Sequence, residues 1–119
     1  YLVAQDKPDL AQALAEAGLA LYPFSEDILA MAGLLAMTRE DWSLAIELLQ
    51  DLRDVQQERT QPMTYRMLAR ALFCNLDPAD AVQTVEEGLS HWPQDADLLA
   101  ERAAMAISSM ALSASGVHS

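Results

Sequence analysis

Apolar residues recur along this chain at helical spacing, in blocks separated by short polar breaks. From Pro8 to Leu21 they fall at Leu10, Ala11, Leu14, Gly18 and Leu21, and Tyr22-Pro23 ends the block. Ser25 offers an N-cap to a helix from about Glu26 to Thr38, rich in the small residues Ala30, Ala32, Gly33 and Ala36. The turn Thr38-Arg39-Glu40-Asp41 leads into a helix from about Trp42 to Gln57, whose apolar face is Ala45, Leu48, Leu49 and Leu52. The stretch from Asp54 to Gln61 is polar apart from Val55 and predicts a loop or frayed end. A helix from Pro62 to about Asn75 follows, then one from Pro78 with Ala81, Val82, Val85 and Leu89 on one face, then one from about Asp95 to Met110. Asp77-Pro78 is a helix start, and Trp92-Pro93 a stop, because proline disfavours helical geometry in the residue before it. Tyr1 to Gln5 reads as the last turn or two of a helix, broken at Asp6-Lys7-Pro8, and 113–119 reads as a loose tail.

The blocks repeat. Pro8, Ala11, Gly18, Leu19, Tyr22 and Pro23 stand seventy positions before Pro78, Ala81, Gly88, Leu89, Trp92 and Pro93. The alanine that opens the second helix of each pair falls at Ala11, Ala45 and Ala81, separated by 34 and 36 positions. Helix pairs joined by short turns, at a period near 34, predict an all-α chain built from stacked repeats.

Composition agrees with helices. The 119 residues are 52% hydrophobic, mostly Ala, Leu and Met, with seven aromatics, which is ample for one folded domain. The net charge of −11 repels phosphate backbones and anionic lipid, so nucleic acid is a poor partner. From Leu76 onward only Arg102 opposes seven acids. Cys74 is alone, so no internal disulfide forms and nothing demands an oxidising compartment. No apolar run approaches the roughly 18 residues that span a bilayer, so membrane insertion is not expected and a cytoplasmic location is. The missing initiator Met points to a processed or partial chain.

These residues resemble the tetratricopeptide repeat, whose pattern is Trp-x2-Leu-Gly-x2-Tyr, then Ala-x3-Phe, then Pro. Met63 to Pro93 fits best, through Tyr65, Leu68, Ala69, Leu72, Ala81, Val85 and Pro93. Asp27 to Gln57 follows, through Leu29, Ala32, Gly33, Ala36, Ala45 and Leu49, but without a closing Pro. Leu99, Ala103 and Ala106 look like the first helix of a further unit. The resemblance implies a right-handed α-α superhelix of about three antiparallel helix pairs. It divides a single domain, 1–112, into a partial repeat 1–23, repeats 26–57 and 62–93, and a C-terminal helix 95–110.

It also implies a function: binding a peptide or amphipathic helix of another protein in a concave groove lined by the first helix of each pair. Carried over, that groove comprises Leu34, Met37, Met63, Arg66, Arg70, Phe73, Ala100, Ala104 and Ile107. Arg66 and Arg70 lie one turn apart and suit a partner carboxylate, or else pair with Glu101 or Asp97 of the neighbouring helix. Ala30 and Leu34 stand where the chaperone-binding carboxylate clamp wants Lys and Asn, so that subtype is not matched. In size and acidity the chain is similar to the small chaperones of bacterial type III secretion. The alternative is a scaffold segment or self-associating array, for which the uncovered face of Leu14 and Leu21 is the cue; a homodimer is one form of it.

Enzyme chemistry lacks its parts. His91 suits capping of a helix C-terminus and His118 lies in the tail, so no metal site or catalytic triad is expected. Cys74 has no nearby His, and the pairs Glu26-Asp27, Glu40-Asp41 and Glu86-Glu87 suit helix starts and exposed faces. No glycine-rich phosphate loop occurs, and no cofactor is expected.

Overall fold

A computed structural model describes residues 8–117, with side chains for 10–108. The reading of Tyr1 to Gln5 as a helix end, and His118, fall outside the described residues. Among the described residues six α-helices follow one another: α1 Pro8–Leu21, α2 Glu26–Thr38, α3 Trp42–Gln56, α4 Pro62–Cys74, α5 Pro78–His91 and α6 Ala96–Val117. Among the described residues there is no strand.

Local chemistry sets most of these bounds. The Ser25 hydroxyl accepts from the Ile28 amide at 3.4 Å, and Asp41 and Asp95 carboxylates accept likewise from Leu44 at 3.3 Å and Leu98 at 3.0 Å. Pro62 and Pro78 occupy first-turn positions, where a missing N–H costs nothing. Glu40 (φ 60°) and Leu76 (φ 65°) end α2 and α4 in left-handed geometry. Their turns are built alike: Asp41 N–H donates to Ala36 C=O at 2.8 Å, and thirty-six positions on, Asp77 N–H donates to Leu72 C=O at 2.9 Å. The turns after α1 and α5 match at a separation of seventy. Ser25 N–H donates to Tyr22 C=O and Asp95 N–H to Trp92 C=O, each at 3.2 Å. Sequence register and backbone hydrogen bonds therefore repeat together.

Two expectations change. The stretch after Asp54 is not a frayed end: α3 persists to Gln56, and a 3₁₀ turn, Gln57–Arg59, follows. Buried Gln56 holds it, donating to Glu26 at 3.1 Å and accepting from Thr64 at 2.7 Å, while Trp92 Nε1 donates to Thr60 C=O at 2.9 Å. This turn accounts for the change of period. Pro8 to Glu26 and Pro78 to Ala96 are 18 positions apart, whereas Trp42 to Pro62 is 20. At the C-terminus, α6 runs on to Val117 instead of stopping near Met110 ahead of a loose tail. No proline interrupts the Ala- and Ser-rich stretch, and Gly116 is its first glycine, so no stop signal precedes it.

Each helix packs on the next, α2 with α3 and α4 with α5 most extensively. The even-numbered helices also pack closely on one another, α2 against α4 and α4 against α6, whereas among the described residues the backbones of α1, α3 and α5 stay further apart and α3 reaches α5 through side chains such as the Arg53–Glu87 pair. The result is elongated, 49 × 34 × 21 Å, with a radius of gyration of 15.8 Å against about 13–14 Å for a compact domain of this length. The core lies within the pairs, at Leu29, Leu49, Leu68 and Val85.

Close approach inside a pair demands glycine at one point. A Cβ on Gly88 would lie 2.9 Å from Cγ of Tyr65 in α4 and 3.1 Å from Leu98 in α6. Tyr65 is buried and stacked on His91, centroids 6.3 Å apart, so it has no room to yield. Gly88→Ala is expected to cost about 1–2 kcal/mol in urea unfolding, overpacking outweighing a helix-propensity gain of about 1 kcal/mol. Among the described residues, a Cβ on Gly18 meets only the flexible Ile28 side chain within 4 Å, nearest atom 3.2 Å, and Gly18→Ala is expected to be neutral or mildly stabilising.

Candidate functional site

The juxtaposition of α4 and α6 creates a cleft of about 220 Å³. Arg70, Phe73 and Cys74 line it from α4, and Glu101, Ala104, Met105 and Ser108 from α6. These residues share a face for helical reasons. Arg70 and Phe73 are three apart, as are Glu101 and Ala104, and Met105 and Ser108. Phe73 is half-buried, Met105 buried and Ala104 exposed, so the floor is apolar and open.

A charged cluster forms one wall. Glu101 is 8% exposed, and its Oε1 accepts from Arg70 Nη2 at 2.7 Å and from Arg66 Nε at 3.3 Å. Arg66 Nη1 also lies 3.8 Å from Asp97 Oδ2. Of the two readings of Arg66 and Arg70, pairing with Glu101 and Asp97 is the one the structure displays. Two cations face two carboxylates, so the cluster is neutral as a unit and Glu101 fixes the direction of both guanidinium groups. Arg70, whose side chain is 54% exposed, keeps donors turned to solvent beside the cleft.

The structure gathers some groove candidates and separates others. Arg70, Phe73 and Ala104 line the cleft, and Arg66 joins it through Glu101. Leu34 on α2, Met63 at the start of α4 and Ile107 on α6 are exposed, and none of them lines it. Met37 packs partly into the core, and Ala100 is exposed. Met105 and Ser108 are additions. Their signal was the buried stripe Leu98, Glu101 and Met105, at spacings of three and four, which the repeat pattern through Leu99, Ala103 and Ala106 does not reveal.

A second, wider depression of about 680 Å³ lies elsewhere, lined by Arg53, Asp54, Gln57, Glu58, Thr60, Tyr65, Glu87 and His91. Burial, reinforced by the Glu87 carboxylate, pushes the Tyr65 phenol above its ordinary value. Arg53 lies 3.6 Å from Glu87, so opposite charges compensate each other here too. Among the described residues no group of three His, Cys, Asp or Glu is placed to hold a metal ion, and no helix is long and apolar enough to cross a membrane.

No protein-family model matches the chain, and no curated protein does. The cleft therefore has to be read from its own chemistry.

The Arg70–Glu101 contact combines a short distance with a buried carboxylate, unlike Arg102–Glu86, at 3.7 Å with both side chains 51% exposed. Double-mutant cycles in thermal or urea unfolding are expected to give a coupling near 1 kcal/mol for Arg70–Glu101. For Arg102–Glu86 the expectation is about 0.2–0.5 kcal/mol.

Proposed function

We propose that the chain is a protein-interaction module of the tetratricopeptide type, binding a peptide or amphipathic helix of another protein along the row formed by α2, α4 and α6. The observation that carries the reading is the side-by-side contact of alternate helices, which leaves one continuous surface with an apolar cleft between α4 and α6. The repeated turns at separations of thirty-six and seventy support the repeat assignment.

On this reading Phe73, Ala104 and Met105 accept an apolar side chain of the partner. Arg70 offers its remaining donors to a neighbouring carboxylate or backbone carbonyl. Exposed Leu34, Met63 and Ile107 extend the contact along the row. Because Glu101 and Asp97 compensate the arginines, shape and apolar burial supply most of the affinity, and charge supplies orientation. A secretion chaperone holding an export subunit is one occupant of this class, matching the chain's small size and acidity.

Peptides selected from a displayed random library against the wild-type chain test the reading. Phe73→Ala and Ala104→Glu are expected to weaken the selected peptides by tenfold or more, about 1.4 kcal/mol, in fluorescence anisotropy. Leu76→Ser, in the exposed α4–α5 turn, is expected to leave them unchanged. Peptides indifferent to Ala104→Glu would place binding outside the cleft and refute the assignment.

A further inference from the structure

A further cavity, of about 440 Å³, lies where the α1–α2 turn meets the end of α3. Pro23 and Phe24 line it from the turn, Asp51, Asp54 and Val55 from α3, and Gln57 from the 3₁₀ turn. Its walls are therefore two neighbouring elements of one helix pair, packed on each other inside the described chain.

Several features gathered here work against folding. Phe24 is 78% exposed. Seventy positions on, Gln94 occupies the same place in a turn closed by the same 3.2 Å hydrogen bond, so the turn does not require an aromatic ring. Asp51 and Asp54 lie three apart on α3, both exposed, where like charges repel. Asp54 also stands in the last turn, where the helix dipole disfavours an anion. Gln57 holds φ 52° and ψ −120°, a strained conformation for any residue but glycine.

Nor are these carboxylates compensated. Arg53 is turned to Glu87, 3.6 Å away, and Arg59 to Glu26, 3.8 Å away. Among the described residues no ion pair or hydrogen bond engages the carboxylate of Asp51 or Asp54. At the α4–α6 cleft the acids Asp97 and Glu101 are balanced by Arg66 and Arg70, whereas no base lines this cavity. Glu47, exposed one turn before Asp51 on the same face, adds to the negative field. The cavity thus joins an aromatic ring, an apolar wall of Pro23 and Val55, and two free carboxylates.

We propose that it is a docking site for an arginine-bearing segment of another protein. Charge complementarity selects a cation, and the ring beside the carboxylates selects a flat one. The guanidinium donates to Asp51 and Asp54, its face lies on Phe24, and its aliphatic stem covers Pro23 and Val55. Lysine can form the ion pairs but presents no planar fork and stacks less well. The site shares no residue with the α4–α6 cleft, so it stands or falls independently of peptide binding there.

Nuclear magnetic resonance titration of the isotope-labelled 119-residue chain with a capped hexapeptide of alternating glycine and arginine tests the proposal, with circular dichroism to verify that each variant folds. Saturable amide shifts are expected to concentrate at Phe24, Asp51, Asp54 and Val55. The same peptide with lysine for arginine is expected to bind about threefold more weakly. Asp51→Asn combined with Asp54→Asn is expected to weaken the arginine peptide about tenfold, and Phe24→Ser about threefold. Glu40→Gln combined with Glu86→Gln removes as much charge at exposed positions elsewhere and is expected to change affinity less than about twofold. Equal weakening by the two double variants, or shifts spread over all the acidic positions, overturns the proposal in favour of diffuse attraction to an acidic surface. Binding indifferent to Phe24→Ser, shifts at Phe73 and Ala104 instead, or no saturable binding at all overturns the assignment to this cavity. Equal affinity for the lysine peptide overturns the selection of arginine.

Discussion

The row of side chains between one helix and the next, packed closely enough to exclude a methyl group, is what the rest of this structure hangs on. A helix of 13 to 15 residues, such as α2, α3 or α4, is marginal by itself in water. It persists because Ala32, Gly33 and Ala36 bring α2 close to α3, and because Gly88 admits the ring of Tyr65 between α5 and α4. With the pairs fixed, short turns leave little freedom, and α2, α4 and α6 come to lie beside one another. The cleft between α4 and α6 is thus a by-product of pair packing.

The charges serve that arrangement more than they advertise a ligand. Eighteen acids against seven bases make the surface strongly acidic, yet the arginines nearest the cleft are already engaged. Glu101 draws Arg66 and Arg70 together across the α4–α6 contact, tying an otherwise lightly packed last helix to its neighbour. What remains open at the cleft is an apolar floor with oriented donors at one edge, and on the proposed reading such a surface would discriminate by shape before charge.

Most helix bounds were legible because the sequence punctuates them chemically, with Ser25 and Asp41 as caps and Pro62 and Pro78 as starts. The 3₁₀ turn after α3 was not, because what holds it is Gln56 reaching Glu26, thirty positions back, and Thr64, eight ahead. A polar run says nothing of such partners. In α6 the repeat pattern marked Leu99, Ala103 and Ala106, and their spacing agrees with α2 and α4, but none of the described helices covers them and they are exposed. The residues buried there are Leu98, Glu101 and Met105, which face α4 and α5. The repeat resemblance named Arg70, Phe73 and Ala104, which line the cleft, among its groove residues. It could not separate them from Leu34 and Met63, since only the packing of α4 on α6 decides where a floor forms.

Native-state amide hydrogen exchange on the monomeric chain tests the pairwise construction most directly, since stability in stacked repeats is summed from units and their interfaces. Slowest exchange is expected for Leu49, Leu68 and Val85 in the two complete pairs, with α1 and α6 opening at distinctly lower free energy. Uniform protection from α1 to α6, lost in a single cooperative step, would contradict a chain of separable pairs and favour one undivided helical bundle.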